Sequence, residues 1–522
     1  MEKNQIPKEK FAFVNTGSHI SDVKFDDKPI GYLRDAWNRF RKNQASVIAA
    51  IIIICIVLFA LVVPAVSNMD NNFMDNYYAK KAPRNTFLRQ FGICDGGTKR
   101  NFSERGMIKE VAIGMGAEDV NGTGDITLEQ GMESEYQPIL NTGSEVVTLD
   151  AAKKEKKTFN GARVDAYLDV GFIYRSIKAE EYEDILAFQE ETGIQVLFPL
   201  IENNEYNPDS TDANNWYKAT GKGDPVRVLA NGQTKKISYE EGMVLEDNYK
   251  RDADGNPVYY THTGGGGFED AQYRVRVLYY NYYRYQNGFE PNYILGTDTQ
   301  GYDMAQRLAG GIRLSLTVAI SVSVINFFIG AIYGAIEGYY GGVVDILLER
   351  VSDILSGVPF VIVATLFQLH LSAKVGAVPS LLFAFVLTGW ISTAYRVRTQ
   401  FYRFKNQEYV LAARTLGARD ARIIWKHIFP NTLGTLITSC ALVIPNVIFT
   451  ESMLSYLGIV KLSSASTTSL GNLLSDASSI WTNYPHLMIA PAVVISLLMI
   501  SFNLFGNGLR DAFNPSLRGV EE

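Results

Sequence analysis

The sequence predicts an α-helical polytopic membrane protein with six transmembrane helices and an α+β domain inserted between the first and second. Three observations predict it. The 522-residue chain contains six long apolar runs, each of about spanning length. Its charge is divided, with 25 Lys+Arg against 36 Asp+Glu over residues 68–292 and 24 against 19 elsewhere. The acidic part is polar and rich in Tyr, Asn and Gly, whereas the basic part is largely apolar, so the near-average composition of the whole conceals two unlike regions.

A hydrocarbon core of about 30 Å needs about 20 apolar residues as helix. "SVIAAIIIICIVLFALVVPAV" (46–66) and "LSLTVAISVSVINFFIGAIYGAI" (314–336) meet that length. "ILSGVPFVIVATLFQLHL" (354–371) and "VPSLLFAFVLTGWISTAY" (378–395) are shorter. "TLGTLITSCALVIPNVIFT" (432–450) and "LMIAPAVVISLLMISFNLFG" (487–506) complete the six. The first run follows 45 polar residues and exceeds the apolar stretch of a signal peptide, so it reads as an uncleaved anchor despite "AVS" at 65–67. The chain divides into an N-terminal segment 1–45, a first span 46–67, an insert 68–292, a core 293–508 carrying a loop at 397–431, and a tail 509–522.

Lys and Arg in short loops orient the spans. Arg34, Arg39, Arg41 and Lys42 precede the first span, and Arg396, Arg398, Arg403, Lys405, Arg414, Arg419, Arg422 and Lys426 lie between the fourth and fifth. Both segments are expected on the cytoplasmic side, with both termini, which places the acidic insert outside. The loop after the second span is an exception, with Glu337, Asp345 and Glu349 against Arg350.

Within the insert, "KAEEYEDILAFQEETG" (178–193) predicts a helix capped by Ser176 and stopped by Gly193. "IQVLFPLI", "VRVLA", "KKISY" and "PVYYTHT" read as strands. "YRVRVLYYNYYRY" (273–285) alternates and then becomes almost continuously aromatic. Its Tyr279, Tyr280, Tyr282, Tyr283 and Arg284 are candidates for a recognition surface, because Tyr and Arg suit interfaces; core packing is the competing reading. "GGGG" (264–267) reads as a turn.

"QEYVLAARTLGARDARIIWKHIFPN" (407–431), between the fourth and fifth spans, reads as two short helices. Tyr409, Ala412, Ala413 and Leu416 recur at helical spacing, Gly417 suits a turn, Ile423, Ile424 and Ile428 share a face, and Pro430 is expected to stop the second helix. An Ala-Ala pair on an exposed helix allows another surface to approach closely, and a short helix offered to a groove is a recurring recognition mode. A solvated basic loop is the plainer alternative, but charge alone does not account for the order Glu408, Ala412, Ala413, Gly417, Ile428, Pro430.

That order resembles the EAA coupling loop of binding-protein-dependent ABC transporter permeases. "RDAWNRFRKNQASVI", "LGTDTQGYDMAQRLAGGIRLSL", "LSYLGI" and "FNLFGNGLRDAFNP" are similar to further segments of the oligopeptide/dipeptide/nickel branch and point to its OppC/DppC-type subunit. The resemblance implies a type I importer permease in the bacterial cytoplasmic membrane, moving short peptides. It also implies a second homologous permease subunit, two ATP-binding subunits that carry ATP and Mg, and an external substrate-binding protein. Nickel or another small solute is the alternative cargo. Tyr302 stands where the family pattern has Arg, the Trp common before Gly471-Asn472 is missing, and the insert is far longer than usual.

No G-x4-G-K-[ST] occurs, "ATGKGDP" (219–225) included, so no nucleotide site is expected in this chain. Cys55, Cys94 and Cys440 leave no disulfide inside the exposed domain, and His262 has no nearby Cys or His, so no metal site is expected. No catalytic set and no nucleic-acid partner are expected either. A membrane-anchored enzyme or sensor is the alternative of a different class, but an anchor needs one or two spans. Glu451 lies about 27 Å along the fifth span by helical rise. It is a candidate gate or helix contact, with easy solvation at an outer interface as the plainer reading.

Overall fold

The computed structural model describes residues 32–67, 73–103, 136–149, 155–206, 211–220, 226–236, 246–264, 271–462 and 468–513, with short pieces at 106–107, 110, 113, 125–126, 132 and 243–244. Residues 237–239 of "KKISY", 265–267 of "GGGG" and the end of the tail from 514 lie outside them.

Helix α1 (Tyr32–Lys42) is amphipathic and packs Ala36 and Phe40 against the C-terminal helix, with the Phe40 and Phe505 rings edge-on at 5.5 Å. Helix α2 (Gln44–Val66) is the first span; Asn43 caps it by accepting from the Ser46 N–H.

The insert is α+β. Strands β1 (Gly97–Ser103), β2 (Ile139–Asn141), β3 (Ser144–Leu149) and β4 (Glu155–Asp165) form one antiparallel sheet, ordered β1-β4-β2 with β3 also on β4. Strand β5 (Phe172–Lys178) leads into α3 (Ala179–Thr192), which Gly193 ends in the left-handed conformation at φ 72°. Gly193 therefore stops the helix as expected. Ser176 does not cap it: it sits within β5 opposite Arg274, and the cap position is Lys178. Strands β6 (Leu197–Phe198), β7 (Val226–Val228), β8 (Thr234–Lys236), β9 (Tyr260–Gly264) and β10 (Gln272–Leu278) follow, then α4 (Tyr279–Asn287). The second sheet is ordered β9-β10-β5, with β6 also pairing β10, all antiparallel.

An aromatic core joins the insert's two ends. The Tyr78 ring lies 5.0 Å from Tyr167, 5.0 Å from Tyr279 and 5.4 Å from Tyr283. Beside it the buried Arg84 guanidinium sits 3.4 Å from Asp165, donates to the Tyr280 hydroxyl at 2.9 Å and stacks over the Tyr167 and Tyr280 rings. The chain entering the insert is bonded to the chain leaving it. Lys80 N–H donates to Asp298 O at 2.9 Å, Arg84 N–H to Tyr293 O at 2.8 Å, and Thr297 Oγ1 to Tyr78 O.

The membrane core begins with α5 (Met304–Tyr340), capped by Asp303, whose carboxyl burial pushes up to about 6. Gly330, Gly334 and Gly338 line one face of α5. A methyl on Gly334 would come 2.1 Å from the Ala394 carbonyl oxygen and one on Gly338 2.5 Å from Phe401 Cβ, so this stripe lets α5 meet α9 (Ile391–Phe404) at backbone distance.

Helices α6 (Gly342–Ser356) and α7 (Phe360–Val375) are bent 73° across a short break. The run 354–371 is therefore not one straight helix. Pro359 has no N–H to donate and forces its neighbour out of the helical region, so the run breaks there. Helix α8 (Ala377–Gly389) continues into α9 across Trp390 as one span. After α10 (Glu408–Thr415) the chain is helical from Asp420 through α11 (Phe429–Tyr456), followed by α12 (Leu470–Ala477) and α13 (Pro485–Phe513). Among the described residues five helices have the length and apolarity to cross a membrane, six if the bent pair counts as one.

Candidate functional site

Helix α10 ends as an αL turn with two nested bonds. Ala418 N–H donates to the Ala413 carbonyl at 3.1 Å and Gly417 N–H to that of Arg414 at 3.0 Å. Gly417 takes φ 80°, a conformation that costs glycine little. The turn sends the chain back into the helix that becomes the fifth span.

Val410 and Ala413 face inward, where Val410, Ile423 and Ile428 are each 0 % exposed and pack with Val397, Phe401, Ala335 and Tyr339. Tyr339 donates its hydroxyl to Asp420 at 2.6 Å, and Asn431 Nδ2 donates to the Tyr409 hydroxyl at 3.2 Å and the His427 carbonyl at 2.8 Å. The loop is thus a fixed part of the bundle. Glu408, Tyr409, Leu411, Ala412, Gly417 and Pro430 remain exposed, and Leu416 is 88 % exposed. Tyr409, Leu411 and Leu416 together leave large apolar side chains on the outer side of α10 and its turn.

Two expectations change here. The alanines do not form an exposed pair, because Ala412 faces out and Ala413 in, and Ile428 is buried in the core of this chain. Pro430 does not stop the helix. A π-turn at Ile423–Ile428 precedes it, with Phe429 N–H donating to Ile424 O, and this puts Pro430 in the first turn of α11, where its missing N–H leaves no bond broken.

The acidic exception after the second span finds its partner at this end. Arg398 donates to Asp345 at 2.6 and 2.8 Å and to Glu349 at 3.0 and 3.1 Å, and Tyr402 donates to Asp345 at 2.5 Å. This cluster ties α6 to α9, and sequence reading missed it because the partners lie about fifty positions apart. The Gly330, Gly334, Gly338 stripe was missed too, although its four-residue repeat is a readable signal.

At the other end of the fifth span, Glu451 is 0 % exposed. It accepts from Ser315 at 2.9 Å, Ser455 at 3.1 Å and Ser452 at 3.4 Å, and from Ser469. Easy solvation is thereby replaced by a four-hydroxyl cage joining α5, α11 and the residue that caps α12. Tyr302, where the family pattern has Arg, lies 4.7 Å beneath the guanidinium of Arg307, which is itself 3.3 Å from Asp298.

The tyrosine candidates in the insert are not a surface. Tyr279, Tyr280, Tyr282 and Tyr283 are 5, 4, 1 and 0 % exposed, and Arg284 is half-buried. The core reading holds for them because α4 lies against the sheet and buries rings on every turn. Among the described residues no group of His, Cys, Asp and Glu could hold a metal, and the cysteines are free.

Residues 326–519 match the family of binding-protein-dependent transport system inner membrane components, and residues 31–83 match the N-terminal TM domain of oligopeptide transport permease C. The oligopeptide transport system permease protein OppC of Bacillus subtilis (strain 168) is 40% identical over 223 residues, 43% of this chain and 72% of that protein. The dipeptide transport system permease protein DppC of the same organism is 39% identical over 224 residues, 43% and 68%. A solved structure of the MetNI methionine ABC transporter in inward-facing conformations aligns with TM-score 0.35 and 16% identity over 40% of this chain and 98% of that one. This is a multi-pass membrane protein of the ABC permease class, a transport component. The chain belongs to the binding-protein-dependent transport system inner membrane components, in their OppC/DppC-type branch.

Proposed function

We propose that this chain is one of two permease subunits of an ATP-driven importer of short peptides, and that residues 408–430 are where ATP-binding subunits grip it. The observation that carries the coupling role is the turn after α10, braced from inside by Val410 and Ile423 yet presenting Leu416 at 88 % exposure. The names of the relatives support peptides as cargo. ATP and Mg belong to the partner subunits, and an external binding protein delivers the ligand. ATP binding biases a two-state equilibrium of the path, and differential contact at this loop transmits the bias. Gly417→Pro, which cannot adopt φ 80°, and Glu408→Arg are expected to reduce peptide uptake to background with the subunit still in the membrane. Normal uptake and normal stimulation of ATPase activity in both variants would remove the coupling assignment.

We assign the Glu451 cage to the outer gate, since it joins three elements at the end of the path away from the loop. Glu451→Gln keeps the shape but cannot accept from all four hydroxyls, and uptake should fall; import at the wild-type rate takes Glu451 out of the gate. Positive-inside topology puts both termini in the cytoplasm and the insert outside. Protease added to intact cells should then clip the insert, and complete protection would reverse the topology.

A further inference from the structure

Residues 86–93 form a tight loop at the base of the insert, closed at its neck by the Asn85 N–H donating to the Cys94 carbonyl at 2.7 Å. Asn85 Oδ1 accepts from the N–H groups of Phe87 at 3.1 Å and Leu88 at 2.9 Å, Ile93 N–H donates to Leu88 O at 3.3 Å, and Gly92 turns the tip at φ 71°. These internal bonds hold the loop's shape without covering its side chains. Phe87, Phe91 and Ile93 are 66, 67 and 58 % exposed. Three large apolar side chains displayed on an ordered loop mark a contact surface.

The loop's chemistry selects the partner. Its one charged residue, Arg89, folds back into the domain: Nη1 lies 3.4 Å from Asp165 and Nη2 donates to the Tyr136 carbonyl at 3.2 Å. The tip shows only apolar groups, Thr86, Gln90 and Gly92. A protein-docking patch carries a polar rim, and on this loop only Thr86 and Gln90 are polar and exposed, with no exposed charge. Another exposed apolar strip among the insert's described residues, Val146, Val147 and Leu149, is flanked by Glu145, which pairs with Lys157 at 3.4 Å, and suits a water-facing edge.

Position selects it further. Thr86 lines a cavity of about 540 Å³ together with Val62, Val63 and Val66 of α2 and Ile294. Helix α2 has 23 residues. At about 1.5 Å rise per residue it crosses a hydrocarbon core of about 30 Å with little to spare. Val66 therefore marks the edge of the hydrocarbon; it is 71 % exposed and Ile294 is 53 % exposed. The neck of the loop therefore lies beside the end of α2, in a cavity that Glu290, Asn292 and Asp303 also line.

We propose that residues 86–93 are a membrane prong: Phe87, Phe91 and Ile93 seat in the leaflet where α2 emerges and hold the insert down over the mouth of the bundle. The test uses the full chain with its partner subunits in lipid nanodiscs, with Cys55, Cys94 and Cys440 changed to Ser and a spin label placed at Phe91→Cys. Collisions with oxygen, which concentrates in lipid, are compared with collisions with a nickel chelate, which stays in water. A spin-labelled phospholipid and a label at Asp254→Cys, on an exposed turn, supply the lipid and water references. The ratio of oxygen to nickel collisions at position 91 should rise well above that at 254 and approach that of the lipid. Nickel-dominated collisions would place the loop in water, and low values for both reagents would place it under protein; either overturns the prong. Labels at Phe87→Cys and Ile93→Cys guard against a displaced loop, and the proposal fails if two of the three positions do not report lipid.

Discussion

In α4 of the insert, Tyr282 and Tyr283 are 1 and 0 % exposed; in the turn after α10, Leu416 is 88 % exposed. By composition α4 is the better recognition element, with clustered Tyr and an Arg, while the α10 loop looks like an ordinary basic connection. The fold reverses that ranking. Helix α4 lies against β5 and β10 with its ends anchored, so its amphipathic rings are spent on the domain core. Helix α10 buries only Val410 and Ala413, with the Tyr409 hydroxyl bonded by Asn431, and its other side chains stay exposed. Interface-type composition thus reports how much area a side chain can bury, and topology decides whether it is buried in the same chain.

That contrast is sharpest when stability and transport are measured on the same pair of variants. Tyr283→Ala removes a ring packed near Phe73, Tyr78 and Phe289 and should destabilise the insert by about 3–5 kcal/mol. Limited proteolysis of the purified complex reads this as early loss of the insert while the membrane core persists. Leu416→Asp should leave proteolysis unchanged and lower peptide uptake about tenfold, the equivalent of about 1.4 kcal/mol of contact with the ATP-binding subunit. If Leu416→Asp destabilises the chain, or Tyr283→Ala alters uptake with the insert intact, the division between the two regions breaks.

Legibility in the sequence followed the range of the interactions. The spans were readable because a membrane imposes one requirement on each run separately, and Gly193 and Gly417 were readable because positive φ at a helix end is a local need. The kink at Pro359 was local too, but the apolar run across it outweighed the proline. Pro430 failed as a stop because the π-turn before it shifts the hydrogen-bond register, which depends on how Ile423, Ile424 and Ile428 pack. The Glu451 cage draws on Ser315, Ser452, Ser455 and Ser469, and only two of these are near it in sequence. Helical rise gave its depth and could not give its burial.

The mildest test bears on whether α4 has any role beyond packing. Tyr282 donates its hydroxyl to Glu181 at 2.7 Å and accepts from Gln286 Nε2 at 2.9 Å, which links α4 to the start of α3. Tyr282→Phe keeps the buried ring and deletes these bonds and the hydroxyl's bond with Arg175. Glu181 is half-buried and can recover a water, so the expected cost is about 1 kcal/mol of insert stability. Uptake and affinity for the binding protein should not change, because the lost hydroxyl faces the insert's own helix. A measurable drop in binding-protein affinity, with the proteolysis pattern held at wild type, would mean that α4 communicates with the outer surface and that burial alone does not describe it.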